Sequence, residues 1–198
     1  MILEQIPVGH MQNFSYLIGD EKSKEAAVVD TGWEIDKILS IAKKNDLSIK
    51  FILVTHSHYD HIDAVKEMAD ATNATVYVHK EDSEEIKSKG IRKIKTIGEG
   101  DEIKIGRIKV KLLHTPGHTP GSVCYLVDNK LITGDTLFVE NVGRTDLPGG
   151  NPRILTESLR RLKKLDETIE VYPGHDYGSV KNSTIAHEKK YNPHMVML

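Results

Sequence analysis

The chain has 198 residues, 38 % hydrophobic and 28 % charged, and its 27 Lys and Arg against 29 Asp and Glu leave a formal charge of −2. That length and apolar content suit a single globular domain, and the even charge balance lacks the basic excess that binding to a phosphate backbone requires. Apolar runs such as Phe51 to Val54 are too short to span a bilayer, Met1 to His10 carries no secretory pattern, and Cys124, the only cysteine, cannot form an internal disulfide. A cytoplasmic protein without a nucleic-acid or membrane partner is expected.

In chain order, Phe14 to Ile18 and Ala26 to Asp30 are β-prone, the second ending at a Thr31-Gly32 turn. Ile35, Ile38, Leu39 and Ala42 recur at helical spacing over 34–44. Phe51 to Val54 reads as a buried strand, and a polar, histidine-rich stretch leads to a predicted helix over 63–71. Thr75 to Val78 is another strand, and 81–89 an exposed helix ended by Gly90. Alternation at Ile103, Ile105, Ile108, Val110 and Leu112 predicts a hairpin turning at Gly106-Arg107, and 123–127 with 130–133 predicts a second across Asp128-Asn129. Leu155, Leu159, Leu162 and Leu165 mark an amphipathic helix starting near Pro152, 168–172 a late strand, and 183–190 a last helix. The pattern is that of a mixed α/β domain.

Ten histidines are present and unevenly placed. His56, His58, Asp60 and His61 spell His-x-His-x-Asp-His directly after a strand. In an extended segment, residues two apart project to the same side, so His56 and His58 can share one cation. Asp60 and His61 fall where the chain turns into a helix and can aim at a second. Three later loops add His118 between two Pro-Gly turns, Asp135 after a strand, and His175 in Pro-Gly-His. Five histidines and two aspartates are the ligand number for two divalent ions sharing a bridging carboxylate. His10 and His114 read as ordinary surface or satisfied positions ahead of a place behind the ligands, and Cys124 as a buried one. Arg160-Arg161 and Lys163-Lys164 read as solvated helix faces.

These residues, with Asn13-Phe-Ser-Tyr, Val29-Asp30-Thr-Gly32, Leu137-Phe138, Gly143-Arg144-Thr-Asp146 and Pro173-Gly-His-Asp-Tyr177, resemble the metallo-β-lactamase-fold superfamily, and within it the glyoxalase II (hydroxyacylglutathione hydrolase)-like group. The resemblance implies a four-layer αββα sandwich forming one domain over 1–198. It implies that His56, His58 and His118 hold one metal, that Asp60, His61 and His175 hold the other, and that Asp135 bridges. Asp30 would orient the histidine loop. Arg144 and Tyr177 match substrate-contacting positions, although Arg144 and Asp146 are equally suited to a structural ion pair. The short stretch after His175 has room for one helix, not for the helical domain that completes the glutathione site in full-length glyoxalase II. Asp63 stands where the family often has glycine.

The expected activity is hydrolysis of a small hydroxyacyl thioester, such as lactoylglutathione or an ester of another thiol, with two divalent ions: zinc first, iron or manganese also suited to histidine and aspartate. Two cations lower the pKa of a shared water to roughly 7, and Asp60 would orient it. The runner-up is a persulfide dioxygenase with one iron on His56, His118 and Asp135, since such enzymes share the fold and a Gly-Arg-Thr-Asp run. Two-metal phosphodiester cleavage and a non-catalytic metal-binding module stand further back.

Overall fold

A computed structural model describes residues 1–198 and shows two six-stranded sheets packed face to face. The first holds β1 (Ile2–Val8), β2 (Asn13–Gly19), β3 (Glu25–Val29), β4 (Ser48–Leu53), β5 (Thr75–His79) and β6 (Ile94–Ile97) in that order. Its β1–β3 are antiparallel and its β3–β6 parallel. Each parallel step needs a crossover, supplied by α1 (Ile35–Lys44), by α2 (Tyr59–Ile62) with α3 (Val65–Thr72), and by a 3-10 turn (Lys80–Asp82) running into α4 (Ser83–Ser88). The second sheet holds β7 (Glu102–Ile105), β8 (Ile108–His114), β9 (Val123–Val127) and β10 (Lys130–Gly134). After a small hairpin, β11 (Leu137–Phe138) with β12 (Asn141–Val142), helix α5 (Pro152–Leu162) crosses over to β13 (Glu170–Pro173), which lies parallel to β10. The edge strand β14 (Ser183–Thr184) and helices α6 (Ile185–Tyr191) and α7 (Pro193–Val196) complete the chain.

Three apolar layers account for the stacking. Ile38, Met68 and Ile86 pack helices α1, α3 and α4 on the outer face of the first sheet. Phe14, Tyr16, Leu53, Val110, Leu112 and Tyr125 fill the space between the sheets. Leu155, Leu159, Ile185 and Met195 seat the later helices on the second sheet. This is the expected αββα sandwich. All of β2 is buried, as a strand covered on both faces must be. In β8 the period of two holds, with Ile108, Val110 and Leu112 inward and Lys109 and Lys111 outward.

The structure differs from the sequence expectation at several places. Strands β1, β6 and β14 and the β11–β12 hairpin are additional; β1 is an edge strand containing Pro7, a position where a missing N–H is tolerated. The final helix is two helices, because Pro193 has no N–H to continue α6, and Asn192 instead accepts a hydrogen bond from the His194 amide. Helix α3 starts at Val65 after Ala64, and no side chain caps it.

At the end of the sandwich where β2 stops and β8 starts, one carboxylate joins the sheets. Asp20 is 2 % exposed and accepts hydrogen bonds from the Arg107 amide (2.9 Å), Nε (3.0 Å) and Nη2 (2.6 Å) and from the Lys22 amide (3.1 Å). Gly106, at φ +57°, comes so close that a Cβ would lie 2.0 Å from Ser23 Oγ. The Arg107 guanidinium holds the Asp20 carboxyl far below the usual carboxylate range. A folded-state pKa below the unfolded one contributes stability above the unfolded pKa, near 3.8, and loses it as pH falls further. Asp20→Asn is therefore expected to lower Tm at pH 7, with the gap to wild type narrowing in scans below pH 4. A gap independent of pH would show that the charge is not what matters.

Candidate metal centre

The seven predicted ligands meet at the opposite end of the sandwich, where β4, β8, β10 and β13 finish. The segment after β4 bends at Thr55 and reaches His58, which is extended at φ −64°, ψ 143° and precedes α2. His56 and His58 therefore project together, their ring centroids 4.8 Å apart, while α2 carries Asp60 and His61. The turn at Asp30–Gly32 docks against α2: the Thr31 amide donates to the His61 carbonyl at 2.9 Å, and a Cβ on Gly32 would lie 1.9 Å from the Asp60 carbonyl oxygen. Asp30 itself, in the left-handed region at φ 53°, accepts from the Thr55 amide (2.8 Å) and meets His61 Nδ1 at 2.9 Å. Asp30 thus bonds to both ends of the histidine loop, which the resemblance implies it would orient.

Three ligand groups result, and within each the ligand atoms lie within 4.8 Å of one another. They are His56, His58 and His118; His56, His61 and Asp135; and Asp60, His61 and His175. The outer two are the sets that the resemblance implied, and Asp135 stands between them, 3.3 Å from His61 and His175 and 3.5 Å from His118. Outer contacts fix which nitrogen faces inward. His118 Nδ1 donates to the Arg144 carbonyl (2.7 Å) and His175 Nδ1 to the Met11 carbonyl (2.9 Å), so both Nε2 atoms keep their lone pairs for the centre. His56 Nε2, His118 Nε2 and Asp135 Oδ1 are buried with no hydrogen-bond partner. Buried polar atoms are rarely left so, and a divalent cation would satisfy all three. The residues present fit two such ions.

Electrostatics agree. Burial pushes the His56 and His58 imidazoles below their ordinary pKa, as neutral ligands require. Burial opposes ionisation of Asp60, but hydrogen bonding to His175, the charge of His61 and the Asn13 amide prevail and draw its pKa down to about 2. For His61, burial lowers the pKa, and the Asp135 and Asp30 carboxylates more than reverse it. His61 and His175 face each other with Nε2 atoms 3.1 Å apart.

Arg144 and Tyr177 line the same cavity of about 500 Å³ as His58, Asp60 and Asp135. The Arg144–Asp146 ion pair is formed, with Nε and Nη2 each 2.7 Å from a carboxylate oxygen. Tyr177 stacks on His175 at a centroid distance of 4.5 Å and donates to the Met11 carbonyl. His10 lies against Trp33, and His114 stacks on His79; neither belongs to a ligand group. Sequence reasoning assigned no role to Asn13, whose amide donates to Asp60 Oδ2 at 2.9 Å, or to Asp82. Asn13 stood in the sequence only as part of Asn13-Phe-Ser-Tyr, Asp82 in no motif, and each acts through a contact far along the chain.

Compared with known proteins, the family model described as "Metallo-beta-lactamase superfamily" matches residues 8–175. The chain is 33 % identical over 181 residues to the probable polyketide biosynthesis zinc-dependent hydrolase PksB of Bacillus subtilis (strain 168), covering 91 % of this chain and 80 % of that protein. It is 32 % identical over 211 residues to the hydroxyacylglutathione hydrolase GloC of Haemophilus influenzae (strain ATCC 51907 / DSM 11121 / KW20 / Rd), covering 98 % and 97 %. The crystal structure of ETHE1 from Myxococcus xanthus superposes with a TM-score of 0.87 at 35 % identity, over 98 % of this chain and 84 % of that one.

Proposed function

The chain belongs to the metallo-beta-lactamase superfamily, and on that premise we propose that it is a two-metal hydrolase of small hydroxyacyl thioesters. The observation that carries this reading is the row of three ligand groups with Asp135 at its middle and three buried ligand atoms without partners. Similarity to GloC, named a hydroxyacylglutathione hydrolase, supports the thioester, and the name of PksB supports zinc.

When bound, two divalent cations supply Lewis acidity and hydroxide at neutral pH. The chain's own residues do the rest. Asp60 is a carboxylate at neutral pH, and it borders the cavity. There it accepts a hydrogen bond from the attacking water and holds the oxygen toward the thioester carbonyl. Asn13 keeps that carboxylate from rotating away. Attack forms the carbon–oxygen bond, the carbon–sulfur bond breaks, and the thiolate leaves without a strong general acid. Met11, Tyr59, Phe138 and Leu147 give the cavity apolar walls that shelter the acyl group, and Arg144 and Tyr177 contact the substrate in this reading.

The dioxygenase reading uses only His56, His118 and Asp135 for metal and leaves His58, Asp60, His61 and His175 without a task. Their intact grouping favours two metals. The test is metal analysis of the purified protein beside two assays: thiol release from lactoylglutathione and from a lactoyl ester of a second thiol under anaerobic conditions, and oxygen consumption with a persulfide. Two metals per chain and anaerobic thiol release are expected. One iron with persulfide-dependent oxygen uptake, and no thiol release, would replace this proposal with the dioxygenase.

A further inference from the structure

Asp82 is a buried carboxylate outside the metal groups, 5 % exposed, at the end of the 3-10 turn that leads into α4. An aspartate before a helix ordinarily caps it by accepting a hydrogen bond from an early amide. Asp82 occupies that place and makes no capping bond. Its oxygens are turned instead to two loops that carry ligands. Oδ2 accepts from the Ser57 amide at 2.8 Å and from Thr119 Oγ1 at 2.9 Å, and Oδ1 accepts from the Gly121 amide at 2.8 Å. Ser57 stands between His56 and His58, and Thr119 follows His118. One carboxylate thus ties the loop after β4 in the first sheet to the loop after β8 in the second, beside the three histidines of one group. Gly121 is fitted to this contact: a Cβ there would lie 2.3 Å from Asp82 Oδ1. Thr119 is braced in turn by Ser122, whose Oγ accepts from the Thr119 amide at 3.0 Å.

We infer that Asp82 is a positioning residue for the three-histidine site, holding His56 and His58 at a fixed spacing from His118, so that it sets the metal affinity of that site and leaves the Asp60, His61 and His175 site alone. The inference rests on the two-metal reading. The contrast with Asp30 makes it specific: Asp30 contacts His61 and Thr55, whereas Asp82 contacts only the backbone and hydroxyl groups of the first-site loops and Ser57. Outer partners of metal ligands alter affinity by about 10- to 100-fold.

The test titrates metal-stripped wild type, Asp82→Asn and Asp82→Ala with cobalt(II) against a competing chelator, following cobalt absorption, and records Tm for each metal-free protein. Wild type is expected to take up two ions. In Asp82→Ala the affinity of one site falls by about 10- to 100-fold and the other is unchanged. Asp82→Asn falls less, since its one remaining oxygen still accepts from one loop. If the alanine variant does not fold, Asp82→Asn and Thr119→Val carry the comparison, each with a smaller loss at the same site. A lower metal-free Tm with both cobalt affinities unchanged would make Asp82 a folding residue only and overturn the inference. Equal weakening of both sites would also overturn it. Wild type that takes up no cobalt would instead remove the two-metal reading itself.

Discussion

Asp135→Ala will reduce metal content to at most one ion per chain and turnover by about three orders of magnitude. Asp135 is the only carboxylate of the middle group and lies within 3.5 Å of His61, His118 and His175. No neighbour can take its place. Asp60 is engaged by Asn13 and His175, and Asp30 by Thr55 and His61. The surroundings are also closed to adjustment: a Cβ at Gly174 would lie 2.4 Å from Asp135 Oδ1, and one at Gly143 would lie 1.8 Å from its carbonyl oxygen. The variant should keep its fold, because the apolar layers do not pass through this residue. Elemental analysis after desalting, steady-state thioester hydrolysis and circular dichroism read the three parts. Two retained ions with wild-type turnover would end the bridging role.

The second large effect lies away from the chemistry. Glu188 on α6 is completely buried, and it accepts hydrogen bonds from the Glu140 amide (2.8 Å), Asn192 Nδ2 (2.9 Å) and Ser183 Oγ. It fastens the turn of the β11–β12 hairpin and the break between α6 and α7 to one point. Glu188→Ala strands these three donors, with an expected cost of about 3 kcal/mol, or a Tm lower by roughly 9 °C for a chain of this size. Thermal unfolding monitored by circular dichroism checks it. Since β12 leads directly into Gly143 and Arg144, and the Arg144 carbonyl holds His118, activity at 25 °C should also fall modestly. A Tm within a degree of wild type would show that water replaces the carboxylate.

The ligand set was readable because histidine and aspartate at spacings of one and two residues leave a local mark, and because Pro-Gly turns announce His118 and His175. The alternation at Ile103 to Leu112 and the helical stripe at Leu155, Leu159 and Leu162 made a mixed α/β domain readable, and the layered sandwich came only from the family resemblance. Strand β1 was not, because Glu4, Gln5 and Pro7 interrupt its pattern and its strand character comes from pairing with β2. Asp82, Asn13 and Glu188 were hidden for a different reason. Each is a polar residue with a partner many residues away, Asp60 for Asn13, Gly121 for Asp82 and Glu140 for Glu188, and only the closed sandwich brings them together. The Arg144–Asp146 pair was one of two alternatives in the sequence; its two parallel contacts give the ion pair a definite shape at the cavity wall.

The ligand groups draw on both sheets: His56, His58, Asp60 and His61 follow a strand of one, and His118, Asp135 and His175 follow strands of the other. A cation seated on Asp60, His61 and His175 is a crosslink between positions as distant as 60 and 175, closing a loop of more than half the chain, a service that a lone buried cysteine cannot provide. Cross-linking of this kind removes freedom from the unfolded chain, and occupancy adds stability by mass action. Metal supply would then govern the lifetime of the folded protein as well as its turnover. With the ions stripped, the ligand end is held only by protein contacts such as those of Asp82, while the Asp20–Arg107 end loses nothing, so amide exchange should quicken first in the loops that carry the ligands.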